Sequence, residues 1–204
     1  KSENRFKNLL EINPSEKAIK FGKSLGRDPS FMQLILDESN EILSTEKNVI
    51  IVEHKLGYIN INAGIDKSNI SKNKDLVLLL PENPKKSAND IQTQISSQLN
   101  KDISVIITDS MTRPYRSGVT NFAIASSNIQ SLIDLKGEED IFGNTLHATE
   151  IAIADELSAA AGLLMGQGND MKPVVIIKGF DRSNYSVNNA YDLIVNKDED
   201  LYRF

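Results

Sequence analysis

Residues 48–62 read NVIIVEHKLGYININ, and this stretch separates two classes of mixed α and β fold. Two runs rich in β-branched residues, NVIIVE and YININ, are joined by the short connection HKLG. Because a short connection with a glycine between two such runs is typical of a β-hairpin, we expect two antiparallel strands here. Strands that alternate singly with helices would instead indicate a doubly wound parallel sheet.

The helix signals before this hairpin come as a pair. Asn13–Pro14 and Asp28–Pro29 each place a capping side chain directly before a proline, the combination that favours a helix start. Gly26 predicts the end of the first of these helices. Two helices in succession, followed by a hairpin, favour an α+β fold over alternating α/β units.

The second half of the chain supplies further elements of both kinds. Ser87 and Asp90 resemble a capping box, and residues 149–165 form an alanine-rich helical pattern. The apolar runs DLVLLLP (75–81) and PVVIIKGF (173–180) predict buried strands. We therefore predict an α+β fold of mainly antiparallel sheets with packed helices, over residues 1–204, as one domain or two closely packed subdomains.

Composition excludes several classes of protein. The net charge of −5 over 204 residues argues against a nucleic-acid binder, which needs an excess of Lys and Arg. The absence of cysteine excludes a disulfide framework and a cysteine-type zinc site, which fits the cytoplasm. No apolar run approaches the roughly 20 residues that cross a bilayer, so we expect no membrane partner.

Three polar segments each follow an apolar run and share one composition of acids, amides and hydroxyls. They are NAGIDKSN (62–69), TDSMTRPYR (108–116) and GQGND (166–170), all predicted as loops. Hard cations such as magnesium or manganese prefer carboxylate, carbonyl and hydroxyl oxygens, and arginine binds carboxylate or phosphate through paired donors. These segments therefore indicate a metal-assisted site for a phosphate or a carboxylate.

Simpler structural roles remain open for the same residues. Asp66 and Asn69 are residue types that commonly fill turns, and the glycines of GQGND suit a helix C-cap. Asp109 lies close in sequence to two arginines, so an internal ion pair is an alternative to a ligand site. The residues alone leave these alternatives undecided.

Four long motifs occur in the order and spacing of one known family. They are NAGIDKSN, TDSMTRPYRSGVTNFAIA, DLKGEEDIFGN and IADELSAAAGLLMGQGNDMKPVVIIKG, and with them essentially the whole chain resembles the coenzyme F-420-zero:L-glutamate ligase family. The resemblance implies an intertwined α+β homodimer of the gamma-glutamyl ligase type. It also implies GTP-dependent addition of L-glutamate to a deazaflavin coenzyme F-420 precursor, with manganese or magnesium and with potassium assisting.

The resemblance assigns roles to individual residues. Asp66 and Asp109 match catalytic metal ligands, Ser110 stands at a hydroxyl position that approaches a second metal, and Gln167 matches another metal ligand. The residues that match GTP-binding positions are Lys1, Asn69, Met165, Gly166, Gln167, Gly168, Asn169, Asp170, Met171 and Lys172. From charge and position we add Arg113 and Arg116 as candidates that bind the anionic substrate, the precursor or glutamate.

The sequence also departs from the family pattern. Thr112, Val119 and Ser126 replace the usual glycine, glutamine and glycine. From the resemblance we also expect the family's N-terminal segment, which contains a nucleotide-binding loop, to be missing. The expected reaction is amide formation through an acyl phosphate, releasing GDP and phosphate. Two alternatives stay open: a ligase of the same scaffold for another carboxylate acceptor, and a non-catalytic nucleotide- or cofactor-binding protein.

Overall fold

A computed structural model describes residues 5–181 and 187–202 of the chain. These residues divide into two compact units. The first unit contains the described residues up to Glu82 together with Met111–Gly118, and the second contains Asn83–Ser110 with the described residues from Val119 onward. Helices and antiparallel strands occur together in the chain, which confirms the predicted α+β class.

Helix α1, Glu16–Leu25, opens the helical part of the first unit. Its cap is Ser15, whose hydroxyl accepts a hydrogen bond from the Ala18 amide at 3.3 Å. The predicted start at Asn13 was therefore two residues early, because the serine after the proline takes the capping position. The predicted end is confirmed, since Gly26 adopts the left-handed conformation with φ of 61°.

Helix α2, Pro29–Asp37, begins where the sequence predicts. The Asp28 carboxylate accepts a hydrogen bond from the Phe31 amide at 3.0 Å, and proline occupies the first helical turn. The buried side of α2 lies in the first unit's core, whose members include Phe31, Met32, Leu34, Ile35, Ile50, Val52, Val77 and Leu79.

A three-stranded antiparallel sheet contains the predicted hairpin. Its strands are β2 (Ser39–Ser44), β3 (Ile51–His54) and β4 (Ile59–Ile61), in the order β2-β3-β4. In the hairpin of β3 and β4, Val52 lies opposite Asn60. The prediction missed β2, because its sequence SNEILS is largely polar and partly exposed and lacks an apolar alternation.

A second small sheet pairs β1 (Phe6–Asn8) with β5 (Leu76–Leu78) in antiparallel fashion. Strand β5 lies within the predicted run DLVLLLP, although it is shorter than that run. Leu79 and Leu80, which follow the strand, are fully buried. The apolar run therefore supplies both a paired strand and part of the core.

Helix α3, Pro84–Leu99, opens the second unit. Its cap is Asn83, whose side-chain oxygen accepts from the Lys86 amide at 2.9 Å. The predicted capping box at Ser87 and Asp90 is wrong, because an asparagine followed by proline starts the helix earlier. Asp90 instead forms a surface ion pair with Lys86.

A long β-hairpin carries one of the three polar segments. Strands β6 (Val105–Arg113) and β7 (Arg116–Ser127) are joined by Pro114 and Tyr115, the latter with φ of 57°. The prediction of a loop over 108–116 is wrong, since residues 108–113 belong to β6 and only Pro114 and Tyr115 form a turn. These polar residues adopt a strand because they pair with β7, and a search for apolar alternation cannot detect a strand of this kind.

Helix α4, Ile153–Met165, follows a short antiparallel pair of strands, β8 (Ile133–Asp134) and β9 (Glu150–Ile151). The predicted start at Thr149 was therefore four residues early, because Glu150 belongs to β9 and pairs with Lys136 at 2.6 Å. None of the helices in residues 5–181 and 187–202 is long and apolar enough to cross a membrane.

The predicted buried strand at 173–180 is also wrong. Residues 173–180 are irregular, and Val174 and Ile176 are each 78% exposed. An apolar run is a strand signal only where a neighbouring strand pairs with it. No such pairing occurs within the residues that the structure describes.

Candidate functional site

Asp66 lies in the first unit on a backbone segment that is fixed on one side by β5. Its amide donates to the Leu78 carbonyl at 2.9 Å, and its carbonyl accepts from the Leu78 amide at 3.0 Å. The half-buried Asp66 thus continues the small sheet as a bridge, and the carboxylate projects from paired backbone. A bridge of this kind reduces the conformational entropy that would be lost on binding a cation.

The residues around Asp66 add further constraints. Asn62 and Ala63 both have φ of 54°, and the Arg27 guanidinium donates to the Asn62 side chain at 3.0 Å. The Lys67 ammonium lies 4.7 Å from the centre of the Phe31 ring, a cation–π contact. The segment is therefore a tight turn held by side chains on both sides of Asp66, rather than a mobile loop.

Asn69, a predicted GTP-binding residue, lies three positions after Asp66 in the same unit. It is exposed and has φ of 58°, a left-handed conformation that asparagine tolerates better than most residues. Lys1, predicted to bind the same nucleotide, lies outside the residues that the structure describes.

Asp109 and Ser110 lie within strand β6, in its part that belongs to the second unit. Both side chains are half-buried. Because successive side chains of a strand point to opposite faces, Asp109 and Ser110 serve different sides of the hairpin. The two side chains are therefore poorly placed to bind the same cation, and each is better placed to contact a different ligand.

A cluster of polar side chains in the second unit surrounds Asn121 of β7, which is 8% exposed. The Gln167 side-chain amide donates to Asn121 Oδ1 at 2.8 Å. Asn121 Nδ2 in turn lies 3.5 Å from the Thr108 hydroxyl and 3.8 Å from the Met165 sulfur. Asn121 thus connects both strands of the hairpin with the segment that follows α4.

Helix α4 is fixed against β7 at its other end by Asp155. The Asp155 carboxylate accepts a hydrogen bond from the Ala123 backbone amide at 2.8 Å. Burial raises the pKa of Asp155, and the hydrogen bond from Ala123 partly opposes that effect. Asp155 therefore anchors the start of α4 to β7.

The segment after α4 contains most of the predicted GTP-binding residues. The helix ends at Gly166, with φ of 71°, and an added Cβ there would overlap the Asp170 carboxylate. Gly166 therefore permits a close turn that no other residue type could adopt. The residues that this turn leaves exposed are Gln167, Gly168, Asn169, Asp170, Met171 and Lys172.

Arg113 and Arg116 lie on either side of the hairpin turn. The Arg113 side chain reaches the Ser117 carbonyl at 3.5 Å, and its Nε is buried without a hydrogen-bond partner. Arg116 is exposed.

The candidate donors suit a hard cation by their chemistry. Carboxylate, hydroxyl and amide oxygens are the ligands that manganese and magnesium accept. Residues 5–181 and 187–202 contain no group of three acidic or histidine side chains that could hold a metal ion. The metal ligands predicted from the sequence do not include such a group of three. Their only carboxylates are Asp66, in the first unit, and Asp109, in the second.

Sequence reasoning did not identify Asn121 as part of this site. Its contact with Gln167 joins residues 46 positions apart, and a single asparagine in a strand gives no local signal. The signal that could have found it is Gly162, a glycine inside α4 where an added Cβ would lie 2.8 Å from Asn121 Cγ. A glycine within a helix indicates that another group approaches closely.

Comparison with known proteins gives a family for the chain as a whole. The family described as F420-0:gamma-glutamyl ligase matches residues 1–179. A protein of Methanocaldococcus jannaschii named coenzyme F420:L-glutamate ligase is 45% identical over 195 residues, which cover 95% of this chain and 76% of that protein. A protein of the same name from Methanosarcina mazei is 41% identical over 181 residues, covering 89% of this chain and 70% of the relative.

Proposed function

The chain belongs to the F420-0:gamma-glutamyl ligase family, and from this premise we propose that it joins L-glutamate to a coenzyme F-420 precursor in a GTP-dependent reaction. The observation that carries the proposal is the match over residues 1–179, because that range includes every candidate site residue. The relatives are named for the same glutamate ligation. The use of GTP and the individual reaction steps are our own proposal and go beyond the names of these relatives.

Asp66, Asp109, Ser110 and Gln167 are the residues that would hold manganese or magnesium, with potassium as a further cation. Such ions, when bound, neutralise the terminal phosphates of the nucleotide and favour transfer of the phosphoryl group. The support for this assignment is the oxygen chemistry of the four side chains. The paired backbone of Asp66 and the hairpin position of Asp109 give both carboxylates a defined location within their own units.

The reaction we propose has two bond-forming steps. A carboxylate oxygen of the precursor attacks the γ-phosphorus of GTP, GDP leaves, and an acyl phosphate forms. The amine of L-glutamate then attacks the acyl carbon, losing a proton, and inorganic phosphate leaves with the bonding electrons. The amide product needs no oxidant or reductant, and the free energy of the GTP phosphoanhydride drives its formation.

Arg113 and Arg116 are the residues we assign to anionic substrate. The Arg113 Nε has no partner among the described residues although it is buried, and such a donor costs free energy unless a ligand accepts its hydrogen bond. Guanidinium groups match the paired oxygens of carboxylates and phosphates. The precursor and L-glutamate both carry such groups, so either could be the partner.

The nucleotide would contact the turn after α4, whose exposed glycines and amides suit close approach to phosphates. Gly166 and Gly168 lie in this turn. Asn69 is assigned to the nucleotide from the family motif. Lys1 completes the assigned set. We also propose a homodimer, because Val174, Ile176, Ile177 and Phe180 are exposed in a single chain although the sequence of 173–180 is typical of a buried strand.

GTP turnover with and without the precursor tests the proposal. We expect phosphate release that requires the precursor, L-glutamate and manganese together, and little release with ATP in place of GTP. Thr112 and Val119 are both exposed near the hairpin turn, and they favour a ligase for another carboxylate acceptor as the second candidate. Phosphate release that depends on a different carboxylate would support that second candidate and exclude the first.

A further inference from the structure

We propose that Asn121 is a positioning residue that orients the Gln167 side chain, so that the Gln167 carbonyl oxygen is presented to the divalent cation. This inference rests on the proposed function, in which Gln167 is a metal ligand. Its structural basis is the 2.8 Å hydrogen bond from Gln167 Nε2 to Asn121 Oδ1. An amide whose nitrogen is occupied in this way has its oxygen available for a cation, which binds oxygen and not the NH₂ group.

The orientation of Asn121 itself is fixed by its other contacts. Its Nδ2 lies 3.5 Å from the Thr108 hydroxyl oxygen and 3.8 Å from the Met165 sulfur, and both of those atoms can accept a hydrogen bond. Rotation of the Asn121 amide by half a turn would place its NH₂ against the NH₂ of Gln167. The Thr108 and Met165 contacts therefore select the rotamer in which Oδ1 faces Gln167.

Helix α4 confines Asn121 from a second direction. Gly162 approaches so closely that an added Cβ would lie 2.9 Å from Asn121 Oδ1. At the start of the same helix, Asp155 binds the backbone amide of Ala123, two residues along β7. Both contacts hold α4 against β7, so the segment that carries Gln167 leaves the helix at a defined place.

Strand geometry connects Gln167 with a second candidate ligand. Thr108 and Ser110 are two residues apart in β6, and side chains two apart in a strand share a face. Asn121 contacts the face that carries Thr108. Through Asn121, Gln167 is therefore connected to the face of β6 that carries Thr108 and Ser110. The Asp109 side chain lies on the opposite face of the strand.

Metal binding without turnover is the measurement that tests the role of Asn121. Manganese is titrated by electron paramagnetic resonance, with a non-hydrolysable GTP analogue and without L-glutamate or precursor. Asn121→Leu keeps the branched shape of asparagine and removes both polar atoms. We expect it to weaken manganese binding about 10-fold or more, the usual effect of losing a group that orients a metal ligand. Asn121→Ala removes the same polar atoms with no risk of steric overlap and should give the same result.

A double-mutant cycle separates positioning from a general structural effect. If Asn121 acts through Gln167, Gln167→Ala weakens manganese binding, and adding Asn121→Leu to it weakens binding by no more than about 2-fold further. Asn188→Ala is the matched control, because Asn188 is a structural amide of the same unit that binds the Leu132 amide and carbonyl at 3.2 and 2.9 Å. It should lower the melting temperature and leave manganese affinity unchanged.

The outcomes distinguish this inference from the proposed function. A wild-type protein that binds no manganese overturns the metal site itself, and the role of Asn121 with it. A wild-type protein that binds manganese, with Asn121→Leu and Asn121→Ala of equal affinity, overturns the positioning role alone. Independent effects of the Asn121 and Gln167 substitutions, which multiply in the double variant, also overturn it.

Discussion

Arg5 donates to both oxygens of the Glu38 carboxylate, with Nη1–Oε2 and Nη2–Oε1 distances of 2.9 Å. The same guanidinium donates to the Leu80 carbonyl at 2.7 Å. His54 Nε2 lies 3.5 Å from Glu38 Oε2, while its Nδ1 accepts from the Leu56 amide at 2.9 Å. This network ties the first described residue of the chain to the core of the first unit.

The first prediction concerns the stability that Glu38 supplies. Glu38→Gln leaves the Arg5 guanidinium without its counter-ion, so we expect the free energy of unfolding at pH 7 to fall by about 2 kcal/mol. Urea denaturation measures this change. Glu46→Gln removes an exposed carboxylate of the same unit and serves as the control, with an expected change within about 0.5 kcal/mol. Equal effects of the two substitutions would contradict the assignment.

The same pair makes a prediction about pH. Burial raises the pKa of Glu38, but contacts with His54 and Arg5 outweigh it and lower the pKa from 4.5 to about 2. Because the unfolded chain then binds more protons between these values, the stabilisation is complete above about pH 4.5 and is lost as the pH falls through 2. The difference in unfolding free energy between the wild type and Glu38→Gln should shrink over that range. A difference independent of pH would exclude the low pKa.

The third prediction concerns Asp109 as a metal ligand. Asp109→Asn keeps the shape of the side chain and removes its charge, so manganese-dependent GTP turnover should fall by about 100-fold or more. Asp90→Asn changes an exposed carboxylate on α3 in the same unit and should leave turnover unchanged. Retained turnover in Asp109→Asn would remove Asp109 from the essential ligands.

The fourth prediction concerns Arg113 as a contact for anionic substrate. Arg113→Ala removes a charge-assisted hydrogen bond, so KM for the precursor or for L-glutamate should rise roughly 10-fold or more. Steady-state kinetics with each substrate varied separately identifies which of the two is affected. Lys23→Ala, which removes an exposed cation from the last turn of α1, should leave both constants unchanged. Unchanged KM values for both substrates in Arg113→Ala would exclude this role.

Strands were predicted correctly from the sequence where their apolar residues follow a regular pattern and where a partner strand is present. The hairpin of β3 and β4 was predicted correctly because NVIIVE and YININ are dense in β-branched residues. Residues 108–113 were predicted as part of a loop because Thr108, Ser110 and Thr112 give no apolar alternation, although these residues belong to β6. Residues 173–180 were predicted as buried from their composition, which cannot reveal whether the chain supplies a pairing strand.

The candidate site was predictable to a different extent. Asp66 and Asp109 were chosen from local composition and from family motifs, and both occupy ordered backbone. Asn121 was not predicted as a site residue, because its role depends on contacts with α4 and with the residues after that helix, which are distant in sequence. Local patterns identify residues with reactive groups, whereas the residues that orient them emerge only from the packed structure.

The central claim is tested most directly by mass spectrometry of the coenzyme F-420 precursor after incubation with the protein, L-glutamate, GTP and manganese. We predict a product heavier than the precursor by one or more glutamyl residues, formed together with GDP and phosphate. The product should be absent when GTP or manganese is omitted. An unmodified precursor in the complete mixture, with the protein folded and GTP present, would contradict the proposed ligase activity.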